Sequence, residues 1–162
     1  MSGYLIRSPR VGEAETIADV HLRTWEETYA GRFPPTAWNR EARTSRIAMW
    51  EAICSSPREG DRFAVAELGS EVVGFAGVGP SQDSPAPREK QLWFLYLLKS
   101  AHDTGGGQAL LDEVLGDAPA SLWVLDENPR AKAFYARNGF TPDGFQRPSG
   151  YDQAGDEIRM LR

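Results

Sequence analysis

Three consecutive glycines, Gly105, Gly106 and Gly107, separate the apolar run "LWFLYLLKS" from a stretch with apolar residues at helical spacing, Ala109, Leu110, Leu111, Val114 and Leu115. A strand that turns through glycines into a helix start aims several unpaired backbone N–H groups, and the positive end of the helix dipole, at one point. That arrangement can hold a phosphate, because no side chain shields the amides and the backbone is free to take positive φ. The same residues also suit a tight strand-to-helix turn without a ligand, and local sequence leaves the two readings level. Two familiar phosphate loops do not fit. A nucleoside triphosphate loop needs Lys after its last glycine, where Gln108 stands; "GGGQAL" also lacks the later glycine and the acidic partner of a dinucleotide fingerprint. A different phosphate-bearing ligand is required.

Other chemistry finds little support. Cys54 falls on the apolar face of a helix and reads as a core residue, and no Gly-x-Ser-x-Gly elbow occurs. The two histidines, His21 and His102, belong to no ligand-spaced cluster, so no metal is expected. A net charge of -5, with Lys and Arg scattered among carboxylates, argues against a nucleic-acid partner and favours a cationic one. No apolar run approaches the roughly 20 residues that span a bilayer, so no membrane role is expected. A lone cysteine and an N-terminal "MSGYLIRSPR" without an apolar signal core predict a cytoplasmic chain.

The elements that must position the glycines follow from periodicity. With 162 residues, 41% of them hydrophobic, the chain has the length of one domain, residues 1–162, with its own core. A short extended segment covers Tyr4 to Arg7. Ala14, Ile17, Ala18, His21, Trp25 and Tyr29 mark a helix ending near Gly31, the "FPP" that follows forces an extended link, and Ile47, Trp50, Ile53 and Cys54 mark a second helix reaching Ser55. "RFAVAEL" and "EVVGFAGVG", joined by "GS", form a hairpin; a Pro- and Ser-rich loop leads to "QLWFLYLL". After the glycine loop and its helix come the strand "SLWVL" and a helix with complete end signals: Asn128 as N-cap, Pro129 at the first position, Gly139 as the stop. "FTPDGFQ" and "DEIRML" close an α+β domain with a mixed sheet.

Three motifs in this order resemble the GNAT superfamily of acetyl-CoA-dependent N-acetyltransferases along the whole chain. "HDTGGG" occupies the cofactor loop Gln/Arg-x-x-Gly-x-Gly/Ala, "WEETYAGRFP" resembles the start of many bacterial members, and "ENPRAKAFYARNGF" resembles the second cofactor-binding helix. The resemblance implies a mixed, mostly antiparallel twisted sheet of roughly six or seven strands flanked by about four helices. It implies acetyl-CoA as acyl donor, with the pantetheine arm along Leu95, Tyr96, Leu97 and Leu98 like an added strand. The pyrophosphate would lie on His102, Asp103, Thr104, Gly105, Gly106, Gly107 and Gln108, with Lys99 or Arg137 as nearby charge. Main-chain N–H groups near Leu97 would polarise the thioester carbonyl, in a wedge opened by a splay between this strand and "SLWVL". The side chains of Phe94 and Leu95 are expected to be core packing.

By helix spacing alone Tyr135 would be a packing residue; the resemblance makes it the general acid, with Phe134 lining the cofactor groove and Asn128 capping its helix, contacting pantetheine, or both. The acceptor, a primary amine on a small molecule or peptide, would be bordered by Trp25, Glu26, Tyr29 and Gln91, with His21 in the core. Glu26 and Glu27, or a water, stand as alternatives for the base, since Gln91 occupies the place where a carboxylate would serve better. The loop departs from the family in carrying His102 where Gln or Arg is usual. A non-catalytic acyl-CoA-binding or sensor module is the alternative reading, and the resemblance is compatible with a homodimer.

Overall fold

The computed structural model describes residues 3–29, 39–149 and 155–162. Gly31, the "FPP" link and the "GRFP" part of the bacterial motif lie outside them. Seven strands form one sheet in the order β1-β2-β3-β4-β5-β7-β6, in which β1 is Tyr4–Arg7, β2 Arg62–Leu68, β3 Glu71–Pro80, β4 Lys90–Leu97, β5 Ser121–Leu125, β6 Thr141–Pro148 and β7 Asp156–Leu161. Every neighbouring pair is antiparallel except β4 with β5. Four helices cover the sheet: α1, Ala14–Tyr29; α2, Arg40–Ser55; α3, Gly106–Val114; and α4, Pro129–Arg137. The mixed, mostly antiparallel sheet and the helix count agree with the expectation from sequence.

The helices lie where their apolar stripes can be buried. α1 and α2 cover one face, packing Ala14, Ile17, Ala18 and Trp50 on Val65 and Phe75, with Phe94 and Tyr96 of β4 alongside. α3 and α4 cover the other face, where Leu110, Leu111, Val114 and Tyr135 meet Leu92, Leu122, Val124 and Met160, with Leu95 and Leu97 of β4 alongside. Strand alternation thus sends Tyr96 to one face and its neighbours Leu95 and Leu97 to the other. Asn39 caps α2, its Oδ1 accepting from the Ala42 amide at 3.0 Å; Asn128 caps α4 on Ala131 in the same way at 3.1 Å. At the opposite ends, the Arg162 guanidinium donates to Gly116 O and Ala118 O after α3 and to Asn138 O after α4, placing a cation at two helix C-termini.

One irregularity shapes everything near the glycine loop. Along β3 and β4, Val78 pairs with Leu92 and Gly77 with Phe94, so Trp93 is an extra residue on β4. Such a bulge bends its strand. β4 pairs with β5 only at Gln91–Ser121 and Leu92–Leu122, and beyond Leu92 the two strands part although both continue.

His21 sits at the centre of the α1–α2 face, 5% exposed and ringed by Trp25, Trp50, Phe75, Phe94 and Tyr96. Its Nδ1 accepts from the Trp50 indole N–H at 3.1 Å, which fixes a neutral imidazole with the proton on Nε2. Burial, reinforced by the nearby Arg46 charge, pushes its pKa down to about 3. The unfolded chain, with an ordinary value of about 6.5, therefore binds a proton that the folded chain refuses between those limits, and stability falls as pH drops through this window. From this residue alone the loss between pH 7 and pH 5 is about 2 kcal/mol. Denaturant unfolding at the two pH values should show it, and a His21→Gln variant, whose amide oxygen can still accept from Trp50, should show a clearly smaller difference.

Candidate active site

Beyond Leu92 the parting of β4 and β5 leaves a backbone edge without a partner strand. The Leu98 N–H donates to Val73 O of β3 at 2.8 Å, and antiparallel alternation directs Tyr96 and Phe94 the same way. The N–H groups of Leu95 and Leu97 consequently point away from β3, into the gap. A cavity of about 610 Å³ occupies this gap and is lined by residues of β4, β5, α3, α4 and α1.

At one end stands the glycine loop, where each glycine has a different reason to be there. Gly105 is the N-cap of α3 at φ 91°, a left-handed conformation that a side chain would strain. Gly106 faces inward, where a Cβ would come within 2.9 Å of the Tyr4 ring. Gly107 faces the cavity, and the nearest atoms a Cβ there would meet are those of Phe134 at 3.7 Å and Leu95 at 3.9 Å, ordinary contact distances. The amides of Gly106, Gly107 and Gln108 precede Ala109, the first to donate within the helix, to Gly105 O at 3.0 Å, and so have no intrahelical acceptor. Cationic side chains supplement them: Arg130 and Arg137 both line the cavity. Arg137 was expected from sequence and Arg130 was not; Lys99 is not a lining residue, and its backbone N–H donates to Glu27 at 2.6 Å.

The loop side chains serve the protein itself. His102 Nε2 lies 3.0 Å from Leu97 O and, facing a carbonyl, donates to it. Asp103, at φ 61°, accepts from Arg130 at 3.1 Å. Thr104 bonds Ala101 O and the Tyr4 hydroxyl and does not line the cavity. Gln108 lines it while its amide bridges Asp112 and Asn138, each at 2.8 Å.

At the middle, Tyr135 and Phe134 reach the cavity from α4, while Tyr96 and Tyr29 reach it from the α1 side. The phenols of Tyr29 and Tyr96 are 3.3 Å apart. Burial raises the pKa of Tyr135 and of Tyr96, and the neighbouring Tyr29 adds to both shifts, so the phenols stay protonated. The gap is therefore a passage between the two faces of the sheet. Asn128, the α4 cap, also lines it.

Several sequence expectations need correction. Leu98 is buried under the core and gives its N–H to β3, so it is not an edge residue of the cavity. Thr104, exposed, bonds the Tyr4 hydroxyl and does not line the cavity, and Gly106 has its Cα side against the Tyr4 ring and keeps only its amide for the loop. Glu26 is exposed on the far side of α1 and Glu27 pairs with Arg23 at 3.4 Å; neither lines the cavity. Leu95 packs in the core, as expected, but also faces Gly107 across the cavity. Phe94 packs among Trp50, Phe63 and Phe75. Trp25, Tyr29 and Gln91 do line the cavity, Gln91 additionally accepting from the Gln82 amide at 2.8 Å. Cys54 is half-buried with its thiol pKa raised by burial, which suits a core residue.

Sequence inspection missed the far end of the cavity, made by Trp123 on β5, Arg147 on β6 and Glu157 on β7. Their common placement depends on strand register across the sheet, which no local pattern displays. Among the described residues no group of three or more His, Cys, Asp or Glu could hold a metal ion, and no helix is long and apolar enough to cross a membrane.

Residues 20–140 match the family described as Acetyltransferase (GNAT) family. A probable N-acetyltransferase of Mycobacterium tuberculosis is 25% identical over 88% of this chain and 83% of its own length. An uncharacterized N-acetyltransferase, YuaI of Bacillus subtilis, is 30% identical over 76% and 73%. Among solved structures, the PaiA N-acetyltransferase of Thermoplasma acidophilum in complex with coenzyme A superposes with a TM-score of 0.74 at 23% identity, covering 98% of both chains.

Gly106, facing inward, and Gly107, facing the cavity, give a differential expectation. Gly106→Ala should lower stability by about 1–3 kcal/mol, because the added methyl overlaps the Tyr4 ring. Gly107→Ala, with room for its methyl and a better helix former in place of glycine, should unfold at the same temperature as the parent or above it. Parallel thermal melts of the two variants make the comparison.

Proposed function

The chain belongs to the GNAT acetyltransferase family, and from that premise we propose that it is an acetyl-CoA-dependent N-acetyltransferase acting on a primary amine of a small molecule or peptide. The observation that carries this reading is the parting of β4 from β5 beside the N-terminus of α3. It offers an unpaired backbone edge for an amide-bearing arm and, at its end, free amides with Arg130 and Arg137 for a pyrophosphate. A groove of this form suits coenzyme A: Gly107 leaves its floor open, and Phe134 and Leu95 flank it. That the coenzyme A-bound Thermoplasma protein shares the fold agrees with the same reading. Residues 1–162 are taken as a single N-acetyltransferase domain, supported by one sheet that draws strands from both ends of the chain.

In this reading acetyl-CoA, when bound, supplies the thioester whose carbonyl carbon the amine attacks. The chain's residues do the rest. Leu95 and Leu97 N–H groups hold the pantetheine arm, and the Leu97 N–H is the donor for oxygen charge developing at the carbonyl. His102 occupies the Leu97 carbonyl, so that group is already satisfied. Tyr135, kept protonated by burial, gives its proton to the departing sulfur as the C–N bond forms and the C–S bond breaks, and recovers one from the acylated nitrogen. Attack is direct, in a ternary complex, with no acyl-enzyme.

Titration calorimetry with acetyl-CoA tests the groove: the parent should bind and Gly107→Glu, which places a carboxylate in the phosphate path, should not. Tyr135→Phe should then bind acetyl-CoA as the parent does while lowering kcat by about 10²–10⁴ in an amine panel. Absence of binding by the parent would remove the acetyltransferase reading. Binding without transfer to any amine would leave a non-catalytic acyl-CoA-binding module in its place.

A further inference from the structure

The far end of the cavity has a composition of its own. Glu157 lies opposite Leu125 in the β5–β7 register, and Leu125 packs on Tyr29, so the carboxylate is on the α1 face of the sheet. Its side chain is 24% exposed, and its charge contributes to the raised pKa of Tyr96, which places it within electrostatic reach of the passage. Among the described residues the cavity has two lining carboxylates; Asp103 is paired with Arg130 at the glycine end, which makes Glu157 the described acidic group at the other. The surrounding walls are aromatic: Trp25 and Tyr29 from α1, Tyr96 from β4 and Trp123 from β5.

A cation already occupies part of this end. The Arg147 guanidinium lies 4.0 Å over the Trp123 ring while its Nε donates to Glu157 Oε2 at 2.9 Å. The indole is held for this by its N–H, which donates to both carboxylate oxygens of Asp83 at 3.1 and 3.2 Å. Asp83 is itself held by buried Arg159 at 3.5 Å. Arg147 is less confined, with about half its side chain exposed. An indole face beside a carboxylate is a setting that attracts cations, and the protein's own arginine demonstrates the attraction.

Resting on the acetyltransferase reading, we propose that this end is the acceptor subsite, that it takes a primary ammonium carried on an aromatic body, and that Glu157 receives the ammonium in competition with Arg147. The ring of the acceptor lies among the aromatic walls, and its nitrogen, held by Glu157 and made neutral by giving one proton to that carboxylate before it attacks, faces the passage lined by Tyr96 and Tyr135. Neutral and anionic acceptors lose the charge pairing, and an anion is repelled by Glu157.

The test uses binding, so that it does not depend on turnover. The full chain is titrated, with and without saturating coenzyme A, with 2-phenylethylamine, hexylamine, 2-phenylethanol and phenylacetate, following heat or tryptophan fluorescence. 2-Phenylethylamine should bind about tenfold or more tightly than the other three. Glu157→Gln, which keeps a hydrogen-bond partner for Arg147, should lose about tenfold for this amine with coenzyme A affinity unchanged. Arg147→Gln should gain several-fold, because a competing cation is gone; a merely structural ion pair would give no gain. Equal binding of the alcohol, unchanged binding by Glu157→Gln, or no amine binding at all would overturn the proposal, and hexylamine binding as well as 2-phenylethylamine would overturn its aromatic part. Failure of coenzyme A to bind would count against the acetyltransferase reading instead, with the coenzyme-free titration still deciding the subsite.

Discussion

The extra residue in β4 is the constraint on which the rest of the structure turns. A parallel pair that continued past Leu92 would satisfy its own backbone and close the sheet. With Trp93 inserted, β4 bends, β5 runs on paired only with β7, and hydrogen-bonding groups of Leu95 and Leu97 are left without a strand. Such groups are costly to bury unpaired, so the edge persists because water or a ligand with amides of its own can reach it. The same bend opens a passage through a sheet that otherwise separates two hydrophobic layers.

Those two layers divide the work. On one face α3 and α4 bring helix N-termini, Arg130 and Arg137 to the passage; on the other, α1 and the strands from the C-terminal part of the chain bring aromatic rings and Glu157. Arg130 and Arg137, with Asp103, thus stand at one end of the cavity and the Arg147–Glu157 pair at the other. Rigidity on the α1 side comes from His21, a neutral polar residue whose single acceptor is spent on Trp50. On the α3–α4 side it comes from Arg162, which holds the carbonyl ends of both helices while their amide ends face the cavity.

How much of this could be read from the chain follows from how local each signal is. The ends of α4 were legible because Asn128, Pro129 and Gly139 act on the backbone within a turn of their own positions. The hairpin at Gly69–Ser70 and the glycine-loop entry to α3 were legible for the same reason. The triple glycine was read correctly as a loop at a helix start, yet its division into Gly105 for φ, Gly106 for Tyr4 and Gly107 for the cavity needed β1 in place, about a hundred residues away in sequence. Glu26 does not line the cavity because a neighbour in sequence is turned by about 100° around a helix, away from the stripe of Trp25 and Tyr29. Glu157, Arg147 and Trp123 gave no sign, since register across three strands brings them together. The bulge at Trp93 was invisible in a run that is apolar throughout.

The loop before α3 also carries a consequence for how this sequence can drift. Its unpaired groups at the start of α3 are main-chain amides, whereas the side chains of His102, Asp103 and Thr104 are occupied with Leu97, Arg130 and Ala101 of the same chain. Residue identity there is answerable first to partners within the chain. A lineage can exchange those three side chains, as long as the fold keeps the backbone path, and still present the same row of amides; side-chain identity and backbone geometry are uncoupled at the place where a motif search looks for them to coincide.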